Sequence, residues 1–108
     1  METIKSKQDF EKVFQSGKRL NHRLVRLTVS PVEEGVRSRV AFVAAKRLGN
    51  AVCRNRCKRV LRAVARESSV AEVQGYDVVL IANRRTCDVA HAELVRSLDD
   101  LVKKAGMR

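Results

Sequence analysis

The sequence has few aromatic residues, little proline and few cysteines. Its 108 residues include no tryptophan, one proline, one tyrosine, three phenylalanines and three cysteines. The odd number of cysteines, at Cys53, Cys57 and Cys87, indicates reduced thiols rather than a disulfide framework, since no secretory signal is visible. No apolar run approaches the roughly 20 residues of a membrane-spanning helix, and residues 1–10 are too polar for a signal peptide. We therefore expect a cytoplasmic protein without a membrane partner.

Acidic residues are also scarce, with 12 Asp and Glu against 23 Lys and Arg, for a formal charge of +11. The hydrophobic share of 44% is ordinary for a folded protein and excludes disorder throughout the chain. Residues 1–108 fit a single domain, whose modest core makes a large enclosed active-site cavity improbable. The charge indicates an anionic partner, and nucleic acid is a commoner large anion than an acidic membrane surface.

The positive charge is concentrated in residues 46–66, which contain eight basic residues and no acidic one. These are Lys46, Arg47, Arg54, Arg56, Lys58, Arg59, Arg62 and Arg66. Because like charges held close together repel one another, a fold tolerates such a cluster most easily when a polyanion neutralises it.

Hydrophobic periodicity and turn residues predict helices over residues 7–15, 51–67 and 88–105. The predicted strands cover residues 24–29, 39–45 and 77–82, and a short strand over residues 19–21 makes a fourth. Residues 30–38 are predicted to be a turn region, and residues 68–75 a loop. The run DVVLIA at residues 77–82 is typical of an interior strand covered on both faces. This order predicts an α/β (α+β) fold, a small two-layer sandwich with helices packed on one mixed four-stranded sheet.

The helix predicted over residues 51–67 has an apolar side and a cationic side. At 100° per residue, its inward stripe consists of Cys53, Cys57, Val60, Leu61 and Val64. The opposite side, which we call the basic ridge, consists of Arg54, Asn55, Arg56, Lys58, Arg59, Arg62 and Arg66, and Lys46 and Arg47 extend it. Arginine can bind phosphate oxygens through two hydrogen bonds. The ridge therefore indicates nucleic-acid binding, the alternative being an ordinary solvated face.

Other candidate sites are weaker. Cys53 and Cys57 fit inert buried thiols better than a zinc site completed by His22 or His91. By spacing alone Phe10 and Phe14 fit a core pair better than a platform for stacking bases. Arg84 and Arg85 are either phosphate contacts or solvated charges. No Ser-His-Asp set, acid–base carboxylate pair or phosphate-binding glycine loop is visible, so we assign no catalytic residue and no metal ligand.

Residues 46–62 read KRLGNAVCRNRCKRVLR, and residues 9–14 read DFEKVF, followed by Gly17. These segments resemble two signatures of the bacterial ribonuclease P protein subunit, K-[KR]-x-G-x-A-V-x-R-N-R-x-K-R-x-x-R and D-F-x-x-V-F-x-x-G. The resemblance covers essentially the whole chain. It departs from the family at Ala63, where an acidic or amide residue is common, and at Leu27, where many relatives have an aromatic residue.

The resemblance implies a protein cofactor of a ribozyme that removes the 5′ leader of precursor tRNA. The partners would be the catalytic RNA and precursor tRNA, and the RNA would perform the hydrolysis with Mg²⁺ that it holds itself. The basic ridge with Lys46 and Arg47 would contact the catalytic RNA, and Phe10 and Phe14 would line a cleft for the single-stranded leader. The resemblance also implies a left-handed β-α-β crossover, an inactive isolated protein and a monomer in the absence of RNA.

Two other readings of the residues remain open. A structural RNA-binding protein, such as a small ribosomal component, would use the same ridge at a static site. A DNA-binding module would insert the basic helix into the major groove, although the sequence offers no helix-turn-helix arrangement beside it. Cleavage of precursor tRNA by the catalytic RNA with added protein distinguishes these readings.

Overall fold

The computed structural model describes residues 2–32 and 38–107. The helices are α1 (Lys7–Ser16), α2 (Ala51–Glu67) and α3 (His91–Ala105). The strands are β1 (Glu2–Thr3), β2 (Lys18–Asn21), β3 (Val25–Pro31), β4 (Arg39–Val43) and β5 (Tyr76–Ala82). Short 3-10 turns cover Lys46–Leu48 and Ser69–Glu72. Of the turn region predicted over residues 30–38, residues 33–37 lie outside the described residues.

The strands form one mixed sheet in the order β1-β4-β5-β3-β2. Its central strand, β5, pairs parallel with β4 and antiparallel with β3, which confirms that the DVVLIA run is an interior strand. The four longer strands are those predicted. The sequence did not predict β1, which adds two residues to the edge of the sheet by pairing parallel with β4.

The helices are divided between the two faces of the sheet. The larger core lies between one face and the helices α2 and α3, and includes Leu61, Val64, Leu98 and Leu101. A smaller core of Ile4, Val13, Ala41 and Val79 lies on the other face, with Phe10 and Phe14 of α1 packed against it. Three helices on a mixed sheet are as predicted, but α1 adds a third layer to the expected two because alternate residues of β5 are apolar on both faces.

The segment between β4 and β5 positions the basic helix. Because β4 and β5 are parallel neighbours, the chain must cross from one end of the sheet to the other, and α2 provides this crossover. Asn50 begins the helix by accepting a hydrogen bond from the backbone nitrogen of Cys53 at 2.9 Å. The left-handed sense of the crossover stays a prediction from the family resemblance.

Two further helix boundaries follow from their capping residues. Ser6 caps α1 by accepting a hydrogen bond from the nitrogen of Asp9. Gly106 ends α3 with a φ of 72°, a left-handed conformation that glycine adopts without steric cost. Helix α3 begins at His91, three residues later than predicted. Among residues 2–32 and 38–107, no helix has the length and apolar character to cross a bilayer.

Candidate nucleic-acid interface

The basic ridge lies on the outward side of α2, as the sequence predicts. Its exposed members are Asn55, Arg56, Arg59, Arg62 and Arg66, while Arg54 and Lys58 are half-buried. Lys46 and Arg47, in the 3-10 turn that precedes α2, are also exposed. Within the described part of the chain, none of these cations forms an ion pair with a carboxylate. Their charge is therefore available to an external anion.

The inward side of α2 is apolar, but its first turn departs from the prediction. Cys57, Leu61, Val64 and Ala65 are buried against the sheet and α3. Val60 is only half-buried, and Cys53, predicted to point inward, is exposed. Val52 and Cys53 are exposed because the first turn of α2 extends past the core. Apolar side chains in this turn have no core residues to pack against.

The ridge residues line shallow grooves on the flanks of α2. Arg56 and Arg59 face a groove of about 420 Å³ that His91 also lines. Arg62 and Arg66 line another of about 430 Å³, where the guanidinium carbon of Arg62 lies 5.5 Å from the ring centroid of Phe42. A cation over an aromatic face is stabilised by the ring quadrupole, so Phe42 orients Arg62. The cationic surface is thus broader than a single row of side chains.

A second group of arginines, which we call the arginine cluster, surrounds a groove of about 420 Å³ beside the 3-10 turn. It consists of Arg23, Arg47, Arg84 and Arg85. The sequence left Arg84 and Arg85 open between phosphate contacts and solvated charges, and gave no signal for Arg23. The structure brings all four to one groove. Arg23 is paired with Glu93 at 2.9 Å, which leaves the other three without a carboxylate partner among the described residues.

Side-chain hydrogen bonds hold the loop that carries Arg84 and Arg85. The side-chain oxygen of Asn83 accepts a hydrogen bond from the nitrogen of Arg85 at 2.8 Å. The hydroxyl of Thr86, wholly buried, donates to the carbonyl oxygen of Leu24 at 2.7 Å. The loop is therefore fixed to the beginning of β3 rather than projecting into solvent.

Phe10 and Phe14 are half-buried on the face of the sheet that α1 covers. Their ring centroids are 4.8 Å apart and the rings are tilted by 57°. Phe14 also lines an open groove of about 180 Å³ together with Arg19, Arg26 and Ile81. The buried part of such a ring packs against the core, while its exposed part lies beside two arginines and can stack against a base. The pair therefore has features of both a core and a stacking platform.

Leu27, one of the departures from the family pattern, borders the groove that Phe14 lines. Leu27 is wholly buried in the larger core, on the side of the sheet that α2 and α3 cover. Gly17, which follows α1, is required by close packing, since a Cβ there would collide with the carbonyl oxygen of Val13. Gly17 therefore allows the end of α1 to pack closely against β3.

Sequence reasoning missed an ionic network on the same face. The guanidinium of Arg39 donates to Asp77 at 3.0 and 2.6 Å and to Asp9 at 2.8 Å, and so joins β4, β5 and α1. Hydrogen bonds from Arg39 to Asp77 and then to Asp9 raise the pKa of Arg39 above its usual range. The one sequence signal for this network is Asp77, an acid at the start of a buried strand, which needs a partner.

The described residues contain no group of three or more His, Cys, Asp or Glu side chains arranged to hold a metal ion. His91, a zinc candidate in the sequence, instead lies 2.5 Å from a carboxylate oxygen of Glu67. The exposed arginines of this surface can bind phosphate oxygens through two hydrogen bonds.

Comparisons with known proteins identify a family for the chain. The family model described as Ribonuclease P matches residues 1–106. The chain is 35% identical to the ribonuclease P protein component of Symbiobacterium thermophilum, over 96% of this chain and 90% of that protein. It is 38% identical to the component of Shouchella clausii, over 94% and 84%.

Solved structures show the same fold. The ribonuclease P protein of Staphylococcus aureus superposes with a TM-score of 0.80 at 26% identity, covering 97% of this chain and 95% of that one. The protein from Thermotoga maritima also has a TM-score of 0.80, at 24% identity, covering 96% and 97% of the two chains.

Proposed function

The chain belongs to the ribonuclease P protein family, and we propose that it binds the catalytic RNA through the basic ridge and the precursor tRNA leader beside α1. Family membership assigns the chain to tRNA processing, as the protein component of an endoribonuclease with an RNA partner. In our proposal the protein assists Mg²⁺-dependent removal of the 5′ leader and has no hydrolytic activity by itself.

The observation that carries the proposal is the absence of carboxylate partners around the ridge in the described residues. Folding this helix without acids costs repulsion between neighbouring cations, and an RNA backbone removes that cost by supplying phosphates. Arginine side chains on an outward helical face can each bind two phosphate oxygens. Asn55, exposed between Arg54 and Arg56, can donate to or accept from a 2′-hydroxyl or a base edge.

The arginine cluster extends the proposed RNA surface at the N-terminal end of α2. Arg47 belongs to it and also directly precedes the helix, so the two cationic regions meet at this residue. Phosphates bound at both regions would fix the orientation of the protein on its RNA as well as its affinity. Bringing two RNAs together requires such screening, and this lowers the Mg²⁺ concentration that the RNA needs.

The leader would bind in the groove between α1 and the sheet. An unstacked base can stack on the exposed part of Phe14, while Arg19 and Arg26 contact the backbone phosphates beside it. Mature tRNA lacks the leader and cannot make these contacts. The groove therefore supplies an affinity advantage for the precursor over the product.

In this proposal Mg²⁺ is held mainly by the RNA, as the family resemblance implies. The protein acts by binding and orienting two RNAs and by neutralising phosphates. No catalytic residue is assigned to it.

Reconstitution tests the proposal. The protein is added to ribonuclease P RNA at a Mg²⁺ concentration too low for the RNA alone, and 5′ cleavage of precursor tRNA is followed on a gel. Wild-type protein should restore cleavage. A triple variant of the ridge, Arg54→Gln, Arg56→Gln and Arg59→Gln, should need more Mg²⁺ for the same rate.

A charge-matched control removes three cations from the exposed side of α3, with Arg96→Gln, Lys103→Gln and Lys104→Gln. This control should restore cleavage as the wild type does. The proposal fails if wild-type protein does not restore cleavage. It also fails if the ridge and α3 variants behave alike, because general charge would then be sufficient.

A further inference from the structure

The cysteines of the chain are close in space although they are distant in sequence. The sulfur atoms of Cys57 and Cys87 lie 3.0 Å apart and are separated by 30 positions. Cys57 is buried on the inward side of α2, and Cys87 is half-buried in the loop between β5 and α3. Cys53, one helical turn before Cys57, is exposed, and its sulfur lies 3.3 Å from the carbonyl oxygen of Leu48.

We propose that Cys57 and Cys87 form a dithiol site that a low-molecular-weight disulfide oxidises to an intramolecular disulfide, fastening the loop after β5 to the RNA-binding helix. Bond formation requires the two sulfurs to approach to about 2.05 Å, roughly 1 Å closer than they lie. Small side-chain adjustments can supply such a shift without moving the backbone. The proposal concerns the thiols themselves and stands independently of the RNA that the protein binds.

Exposure orders the two chemical steps. The thiolate of Cys87, the more accessible partner, attacks one sulfur of the oxidant, forms a mixed disulfide and releases one thiolate. The thiolate of Cys57 then attacks the sulfur of Cys87 and releases the second. In sum, two protein thiols and one external disulfide yield one protein disulfide and two external thiols.

The second step is the slower one at neutral pH. Burial, followed by the hydrogen bond with Cys87, raises the pKa of Cys57 to about 11, so little of it is thiolate near pH 7. The mixed disulfide removes the hydrogen bond to the Cys87 thiol, but burial persists. Ring closure should therefore accelerate as pH rises toward the pKa of Cys57.

The disulfide would join the two regions of the proposed RNA surface. The loop that contains Cys87 also carries Arg84 and Arg85 of the arginine cluster, and α2 carries the ridge on the side opposite Cys57. Fastening the loop to α2 restricts the distance between these regions. Because the ridge faces away from the new bond, the oxidised protein should keep its affinity for the RNA.

The test uses the purified full chain with oxidised glutathione. In Cys53→Ser, which lacks the exposed third thiol, the free thiols should fall from two to none and no glutathione should remain bound. Peptide mapping should identify the bond as Cys57 to Cys87. The wild type should form the same bond while exposed Cys53 carries glutathione, whereas Cys87→Ser should form no internal bond and should carry glutathione at Cys53. The proposal is overturned if mapping finds Cys53 joined to Cys57, or if only mixed disulfides accumulate at pH values near 9 as well as near 7.

A second measurement on the unmodified sequence does not depend on how the variants fold. The melting temperature is compared before and after oxidation, and again after reduction. Closing a ring of about 30 residues should raise the Tm by roughly 10 °C, reversibly. An unchanged Tm after a mapped Cys57–Cys87 bond would contradict the fastening role. If the reduced protein does not bind ribonuclease P RNA, the proposed function is contradicted. The proposal for the Cys57–Cys87 bond would not be affected by that result.

Discussion

Arginines occupy two regions of this molecule in opposite ways. On the α1 face, Arg39 makes hydrogen bonds with the carboxylates of Asp77 and Asp9 and is largely covered. On the outward side of α2, the arginines of the basic ridge are exposed or half-buried and have no carboxylate partner among the described residues. The same residue type thus stabilises the fold in one region and remains available to a partner in the other.

The difference teaches how to separate structural from functional charge. Burying a carboxylate such as Asp77, which is only 5% exposed, destabilises the fold unless a cation pairs with it, and Arg39 provides that cation. Neighbouring ridge cations destabilise the folded protein slightly and are compensated only when an anion arrives. Substitutions in the two regions should therefore change different measurements.

The largest effect should come from Arg39→Met. It leaves Asp77 buried without its partner, so the free energy of unfolding should fall by about 3 kcal/mol in urea denaturation. The double variant Arg39→Met with Asp77→Leu removes both charges and should recover most of this loss. A single variant that unfolds within about 1 kcal/mol of the wild type would show that the network contributes little.

Replacing a ridge arginine should produce the opposite result. Arg56→Ala removes charge-assisted hydrogen bonds to phosphate, so affinity for ribonuclease P RNA should fall about tenfold. Stability should change by less than about 0.5 kcal/mol because the side chain is exposed. Filter binding and thermal unfolding measure the two quantities. Arg96→Ala, an exposed arginine of α3, is the control and should bind normally.

Phe14 tests whether the α1 face also contributes to function. Phe14→Ala should reduce the affinity advantage of precursor over mature tRNA about fivefold, since one stacked base contributes about 1 kcal/mol or more. Val13→Ala, a buried change on the same helix, should lower stability but keep this advantage. If Phe14→Ala lowers the affinity for precursor and mature tRNA equally, Phe14 has only a core role.

The smallest effect concerns Asp99, a carboxylate with a structural role. Its carboxylate accepts hydrogen bonds from the backbone nitrogen of Ser69 at 2.7 Å and from the hydroxyls of Ser68 and Ser69 at 2.9 Å each. Burial alone would raise the pKa of Asp99, but these hydrogen bonds outweigh it and lower the pKa.

The lowered pKa fixes the direction of the pH dependence. The stabilisation by Asp99 should be complete above the ordinary aspartate pKa of about 4 and should be lost as pH falls through the lower folded value. Chemical denaturation at several pH values should show wild type and Asp99→Asn converging in acid. A difference that grows toward low pH would contradict the assignment.

The features predicted correctly from the sequence are those that depend on local periodicity and capping. The range of α2 follows from the apolar stripe that includes Leu61 and Val64. The interior position of β5 follows from its continuous apolar run. The basic ridge follows in turn, because the residues opposite a buried stripe must face outward.

The features that the sequence could not predict depend on long-range contacts. Arg39 finds Asp9 and Asp77 only because the sheet brings three elements together, and no spacing records this. The exposure of Cys53 depends on where the core ends, and helical periodicity carries no information about that position. Likewise Arg23 joins the arginine cluster only through the fold.

The salt dependence of binding to ribonuclease P RNA tests most directly whether the ridge neutralises phosphates. Neutralising roughly six phosphates predicts a slope of about −4 to −5 for log affinity against log salt concentration. The triple variant Arg54→Gln, Arg56→Gln and Arg59→Gln should give a slope shallower by about 2 to 3. A wild-type slope near zero, or the same slope for the variant, would contradict the account.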